Sequence, residues 1–242
     1  MTVRTGTIAA PDSIPAGWTR LRVVEDGAGH VVVVFRLADT TSEASAFLAE
    51  LDTARATPAA GLALGGPEIG DSGEVIIDLT PGRYLLGCVK RGEDGHRHAS
   101  AGESRLLIVT PRRSGEATTA PAATLHIGMT EFAFTGVDQW PSGSQLLRVE
   151  NTGEQDHQLR LEQFKPGRTL EEWLNADDPD QLVTPVAGVA RMGPGTVAYL
   201  PLDLEPGDYL LYCLIPDRAT GHLHVGMGMM RAMRVRAEVA NP

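Results

Sequence analysis

Along this chain apolar residues come in short runs separated by Gly- and Pro-rich breaks, a pattern of strands and turns rather than of long helices. After the turn Ile14-Pro15-Ala16-Gly17, Leu21 and Val23 alternate with Arg20 and Arg22, which predicts a one-face-buried strand over Trp18–Val24. The unbroken run Val31–Phe35 predicts a strand buried on both faces. Ala44, Phe47, Leu48 and Leu51 then share a helical face behind a capping box of Thr40 and Glu43, predicting a short helix over Thr41–Leu51. Past a Gly/Pro-rich segment, Gly61–Gly73, strands are predicted at Glu74–Leu79, Tyr84–Val89 and Arg105–Val109.

The same order then returns at an offset of about 126 residues. Trp140-Pro141-Ser142-Gly143 matches the first turn and Gln145–Val149 the first strand. His157, after the loop Asn151–Asp156, answers to His30. Thr169 and Glu172 form a capping box for a helix over Thr169–Asn175 with Leu170, Trp173 and Leu174 on its apolar side. The segment Leu204–Tyr209 answers to Leu79–Tyr84. Between the repeats, Thr110–Ala122 is Pro-, Ser-, Thr- and Ala-rich without apolar periodicity, so it reads as a linker. The expectation is an all-β chain: a sandwich domain at 1–110, a linker at 111–122 and a second sandwich at 123–242, each with one short helix.

Composition narrows the function classes. At 242 residues the chain is long enough for two ordinary domains. Its formal charge of -10 argues against nucleic acid and against adhesion to anionic lipid. No apolar run is long enough to span a bilayer. The opening stretch MTVRTGTIAAPDSIPAG has no apolar core of the kind a secretion signal carries, which taken literally predicts a cytoplasmic protein. Cys88 and Cys213 occupy equivalent places in the two repeats, so a disulfide between them is not expected.

The candidate chemistry is concentrated after each Pro-Gly-x-Tyr turn. In the second repeat, Cys213, His222, His224 and Met229 follow one another closely, donor types that soft metals and copper above all prefer. In the first, Cys88, His96, His98 and Glu103 do so. A bland reading stands beside this one: His157 satisfying a loop, Cys213 as a small core residue, and Met227, Met229, Met230 and Met233 packing a closing strand. Six of the seven histidines nevertheless lie at or beside matched positions.

Together, Asn151-x-Gly153 before His157, Gly207-x-Tyr209 before Cys213, and then His224 and Met229 resemble the cupredoxin pattern. The resemblance spans nearly the whole chain as two tandem cupredoxin-like domains. It implies a Greek-key β-sandwich for each, an extracytoplasmic location, and a copper site of His157, Cys213 and His224 with Met229 axial, His222 being the substitute ligand. Two departures matter. Ten residues separate Cys213 from His224, where familiar blue-copper proteins have a handful. In the first repeat Glu103 takes the thioether position beside His30, Cys88 and His98.

From these departures the long loop 214–223 is expected to miss the metal position and serve as a docking surface, with Met227–Met230 in the core and Glu103 facing solvent or a basic partner. No nucleophile elbow, Walker loop, dinucleotide fingerprint or HExxH is present, and the two His-x-His pairs, at His96/His98 and His222/His224, lack the further pairs of a multicopper oxidase. The expected function is therefore a non-catalytic docking subunit with protein partners, stabilising a membrane-bound electron-transfer assembly and needing no cofactor. The alternatives are a type 1 copper electron-transfer protein using the second domain, or a protein that handles Cu(I) through HLHVGMGMM.

Overall fold

The computed structural model describes residues 1–4, 6–24, 29–39, 44–68, 72–112, 119–136 and 139–237. Each half has its own five-stranded sheet. In the first half the order is Ser13–Pro15, Ser104–Thr110, Gly82–Cys88, Val32–Leu37 and Gly61–Ala63. In the second it is Trp140–Pro141, Met230–Arg236, Gly207–Tyr212, His157–Phe164 and Val183–Met192. The strands expected from alternation are all found within a residue or two of their expected ends, and Val32–Val34, buried on both faces, justify the reading of an uninterrupted apolar run.

The other layer of both sandwiches is one eight-stranded sheet. Ala133–Thr135, Leu125–Thr130, Gly143–Asn151 and Val197–Leu204 from the second half continue into Ser72–Leu79, Gly17–Val24, Thr2–Arg4 and Thr7–Ala9 from the first. The two expected sandwiches are joined edge to edge, where Ala198 pairs with Ile77 and Tyr199 with Ile76. The cause is edge chemistry. Each of these strands would otherwise end its half's sheet with a row of unpaired backbone groups, and edge-to-edge pairing satisfies them. Trp18 closes over the seam with its ring centroid 5.0 Å from that of Tyr199. One hydrophobic core runs through both halves, from Val3 and Val34 to Leu159 and Leu211. No strand or helix occupies the described residues between Thr110 and Leu125.

Both short helices form. Ala44–Thr53 buries Phe47 and Leu51, while the Thr40/Glu43 capping box lies outside the described residues. Leu170–Asn175 has its capping box: the Glu172 N–H donates to Thr169 Oγ1 at 3.2 Å and the Thr169 N–H to Glu172 Oε2 at 2.9 Å. Trp173 packs on Tyr212 at 5.4 Å, but Leu174, expected on the apolar side, is 53 % exposed. Each Pro-Gly turn is fastened by its tyrosine, Tyr84 donating to the Thr80 carbonyl and Tyr209 to the Glu205 carbonyl, both at 2.8 Å.

A second seam runs along Gly61–Glu68 of the first half, which lies against Val183–Met192 of the second. The Ala190 N–H donates to the Gly66 carbonyl and the Gly193 N–H to the Ala63 carbonyl, each at 2.8 Å. Gly66 is required by the close approach, since a Cβ there would stand 1.9 Å from the Val32 carbonyl oxygen. Gly66→Ala is expected to cost about 1–3 kcal/mol by overpacking, read as a lower urea midpoint with an unchanged m-value.

Candidate metal centres

Cys213 lies just beyond the strand Gly207–Tyr212, at the point where the chain leaves the sheet. Backbone hydrogen bonds then bring the chain back to it. The His224 N–H donates to the Ile215 carbonyl (2.9 Å), the Val225 N–H to the Cys213 carbonyl (2.8 Å), the Met229 N–H to the His224 carbonyl (2.9 Å) and the Cys213 N–H to the Met229 carbonyl (3.2 Å). The ten residues between Cys213 and His224 form a small self-contained excursion. Its arms pair at Pro216 and Leu223, and Asp217 closes it by accepting from the Thr220 N–H and Oγ1, both at 2.7 Å. The expectation that this loop misses the site is therefore wrong: the extra length is consumed in a hairpin of its own, and His224 returns to the sheet end.

On the other side of the site, buried Asn151 shapes the loop before His157. Its Nδ2 donates to the carbonyls of Gln155 (2.7 Å) and Met192 (2.8 Å), and its Oδ1 accepts from the Gly153 N–H at 3.0 Å. Gln155 ties this loop to the excursion, donating to Asp217 Oδ1 at 3.0 Å and accepting from the Arg218 N–H at 2.9 Å.

His157, Cys213 and His224 are fully buried, and one donor atom from each lies within 4.8 Å of the others. Cys213 Sγ is 3.5 Å from His224 Nδ1, and the two Nδ1 atoms are 3.1 Å apart. Donors about 2.0–2.3 Å from one ion at trigonal angles stand roughly 3.5–3.8 Å apart, so the observed spacing is that of a metal-binding triad drawn in by a few tenths of an ångström. Sγ also accepts the Gln158 N–H at 3.4 Å, a hydrogen bond that favours a thiolate. Both imidazoles turn Nδ1 inward while neither Nε2 has a hydrogen-bond partner. His157 Nε2 lies 3.7 Å from Glu131 Oε1, and the Phe132 ring covers His224 at 5.1 Å. The donor set of one thiol and two inward-facing imidazoles fits copper.

Of the other predicted residues, Met229 is fully buried and joined by backbone hydrogen bonds to both Cys213 and His224. His222 is exposed and lies outside the buried cluster of His157, Cys213 and His224. Met227 is 36 % exposed, which corrects the expectation that all of Met227–Met230 lies in the core.

Burial decides the electrostatics. It pushes the Cys213 thiol up to about 12, with the N–H groups of Gln158 and Ile215 opposing. Burial, then the neighbouring His157, lowers His224 to about 4. His157 is also lowered by burial, against the pull of Glu131. The triad at neutral pH thus offers two neutral imidazoles and a thiol that gives up its proton when a cation takes its place.

The first half repeats the arrangement with one change. His30, Cys88, His98 and Glu103 converge within 4.8 Å. Cys88 Sγ is 3.7 Å from His30 Nδ1 and 3.8 Å from His98 Nδ1. Glu103 is 3 % exposed, and its Oε2 lies 2.8 Å from His30 Nδ1 and 3.2 Å from His98 Nδ1. The expectation that Glu103 faces solvent or a basic partner is corrected. The same backbone clasp carries it inward, with the Cys88 N–H donating to the Glu103 carbonyl at 3.0 Å and the Glu103 N–H to that of His98 at 2.9 Å. Burial acts to raise the Glu103 pKa, but the Gly6 N–H and His30 outweigh it and leave the carboxyl below its ordinary value.

Sequence reasoning missed Glu131, Phe132 and Gln158, which border the triad. The signal for Gln158 was its place next to His157. Glu131 and Phe132 come from a hairpin turn far away in the sequence, and Phe132 holds a positive φ of 59° that no pattern announces.

A pH dependence follows for the metal-free protein. Folded, His224 binds its proton only below about 4; unfolded, it does so near 6.5. Between these values the unfolded chain holds more protons, so this stability is complete above about 6.5 and lost as pH falls toward 4. Urea midpoints of copper-free protein should drop from pH 7 to pH 5, and His224→Asn should flatten that slope.

No protein-family model matches the chain, and no curated protein does. Among solved structures, the dithionite-reduced auracyanin of Roseiflexus castenholzii is 23% identical, with 48% of this chain and 99% of that chain covered and a TM-score of 0.33. The copper-containing nitrite reductase NirK of Thermus scotoductus is 16% identical over 95% of this chain and 55% of its own, at a TM-score of 0.27. The Campylobacter jejuni multicopper oxidase is 12% identical over 90% and 53%, at 0.31. The expectation that the chain is not an enzyme is corrected: the structures it resembles over both halves include a copper-containing nitrite reductase and a multicopper oxidase. The likeness is one of fold, a cupredoxin-like β-sandwich used twice.

Proposed function

We propose that the chain is a copper redox protein whose second half holds one copper ion between His157, Cys213 and His224, with Met229 as a weak fourth ligand. The observation that carries this reading is the convergence of three buried soft or borderline donors within 4.8 Å at the end of a rigid sandwich. Copper held by such donors exchanges single electrons between Cu(I) and Cu(II). The residues supply the rest: Cys213 contributes one negative charge, the two imidazoles none, and the core around them excludes water. Asn151 and Asp217 fix the two loops so that the donors keep one geometry, which limits rearrangement when the charge changes. A protein redox partner is the source and sink of the electron in this reading.

The expected docking-subunit role drew on a loop that misses the site and on Glu103 in place of a thioether; the return of His224 to the sheet end removes the first of these supports. The Cu(I)-handling alternative needs His222, Met227 and Met230 to converge with His224 and Met229. His222 and Met227 are exposed instead.

Loading the protein with Cu(II) should give an intense visible band from a copper–thiolate bond, abolished in Cys213→Ala. Met229→Leu should keep the band and raise the reduction potential in voltammetry, because removing a donor weakens Cu(II) more than Cu(I). Asp217→Ala should lower copper affinity by roughly 10–100-fold while the fold survives, as outer-shell changes do. A wild-type protein that takes up Cu(II) without a thiolate band would refute this reading.

A further inference from the structure

The carboxylate in the first half changes what that half can bind. We propose that His30, Cys88, His98 and Glu103 form a second metal site of a different class: a closed, four-ligand site for a divalent cation that does not change charge, with zinc as its fitting occupant.

Geometry is the first argument. Four donors about 2.0–2.3 Å from one ion at tetrahedral angles stand roughly 3.3–3.6 Å apart. Here the oxygen–nitrogen separations are 2.8 and 3.2 Å and the sulfur–nitrogen separations 3.7 and 3.8 Å, which bracket that range. Both imidazoles present Nδ1 to the same carboxylate oxygen and the same sulfur. With four protein ligands no coordination position is left for water or substrate, the mark of a structural rather than a catalytic site.

Charge is the second argument. Ionised Cys88 and Glu103 together carry two negative charges, and the imidazoles, as ligands, carry none. A divalent ion cancels this in a buried place, whereas Cu(I) would leave an uncompensated negative charge there, which is costly. In the second half Met229 replaces the carboxylate, so Cu(I) leaves the site neutral and Cu(II) leaves a single positive charge. One residue exchanged between repeats therefore separates an ion of fixed charge from one that cycles. Hard oxygen in place of soft thioether points the same way.

The carboxylate also has a mechanical role. Its other oxygen, Oε1, accepts the Gly6 N–H at 2.9 Å, at the turn that joins Thr2–Arg4 to Thr7–Ala9. A cation that fixes Glu103 fixes that turn. His98, with 22 % of its side chain exposed, supplies the entry path.

The test uses the full chain and zinc alone, followed by Co²⁺ as a spectroscopic probe. Native mass spectrometry and competition with a chelator should find tight zinc in wild type and in Cys213→Ala. Cys88→Ser added to Cys213→Ala should lose it. Glu103→Gln should weaken it by roughly 100-fold or more, since outer-shell changes alone cost 10–100-fold. Co²⁺ in Cys213→Ala should give the strong visible bands of a tetrahedral thiolate site, and the double variant Cys88→Ser/Cys213→Ala should not. Circular dichroism establishes that each variant is folded. As a readout independent of the ligand variants, hydrogen exchange at the Gly6 amide of the wild-type chain should slow on adding zinc. Zinc affinity that survives both Cys88→Ser and Glu103→Gln in the Cys213→Ala background, or zinc lost in Cys213→Ala alone, would overturn the proposal. So would unchanged exchange at Gly6 in zinc-saturated protein.

Discussion

Everything chemical in this protein depends on one backbone clasp made twice. A cysteine at a strand end donates its N–H to the carbonyl of the last donor residue, Met229 or Glu103. That residue donates its own N–H to the carbonyl of a histidine, His224 or His98, which opens a short helical turn. These bonds lie between main-chain groups, so they hold whatever side chains the positions carry. The clasp therefore determines that three donors meet at one end of each sandwich, and side-chain identity determines what they meet around. It also tolerates the long spacing. The excursion closes on itself through the Asp217 N–H to the His222 carbonyl in one half and the Gly92 N–H to the His96 carbonyl in the other, each at 2.8 Å.

With the scaffold constant, the two halves differ at the few positions that touch the centre. Glu103 and Met229 hold the matched position beyond the second histidine, one anionic and hard, the other neutral and soft. The hairpin turns that cover the sites differ in parallel. Gly6 offers a bare N–H to a carboxylate, while Phe132, likewise at positive φ, lays a ring beside His224. An anion calls for a hydrogen-bond donor at that place, and a neutral thioether site is better served by an apolar cover that excludes water. Divergence at the two positions is mutually consistent, as it would be if each half had settled on its own ion.

Much of the fold was legible in the sequence. Alternation over Trp18–Val24, the apolar run before Phe35 and the matched Pro-Gly-x-Tyr turns each describe a local cause, and local causes are written locally. The Thr169/Glu172 capping box is the plainest case. The site was half legible: residue types and repeat positions identified His157, Cys213, His224 and Met229, yet loop length led to the wrong conclusion about His224. Length counts residues and says nothing of where their hydrogen bonds go, and here Asp217 and Thr220 absorb the excess. Glu103 was misjudged for a similar reason, since a carboxylate reads as a surface residue until two imidazoles and the Gly6 N–H are found around it. The fused sheet had no local signature at all, because pairing of Ala198 with Ile77 depends on two edges meeting that are far apart in sequence.

That fusion reaches the second centre. Gln158, whose N–H supports the Cys213 sulfur, donates its side-chain amide to Glu68 of the first half at 3.1 Å. Glu68 is half-buried at the seam, where burial first of all raises its carboxyl to about 7, against the opposing Arg160 charge. Asp156, next to His157, is held in turn by Arg191 at 2.6 Å and by the Thr57 N–H and hydroxyl at 2.7 and 2.9 Å. The residues on both sides of the His157 peptide thus lean on the first half, and a second sandwich folded alone would lose those supports at once. The two halves are braced against each other around His157, and the first half helps hold the residues that flank it.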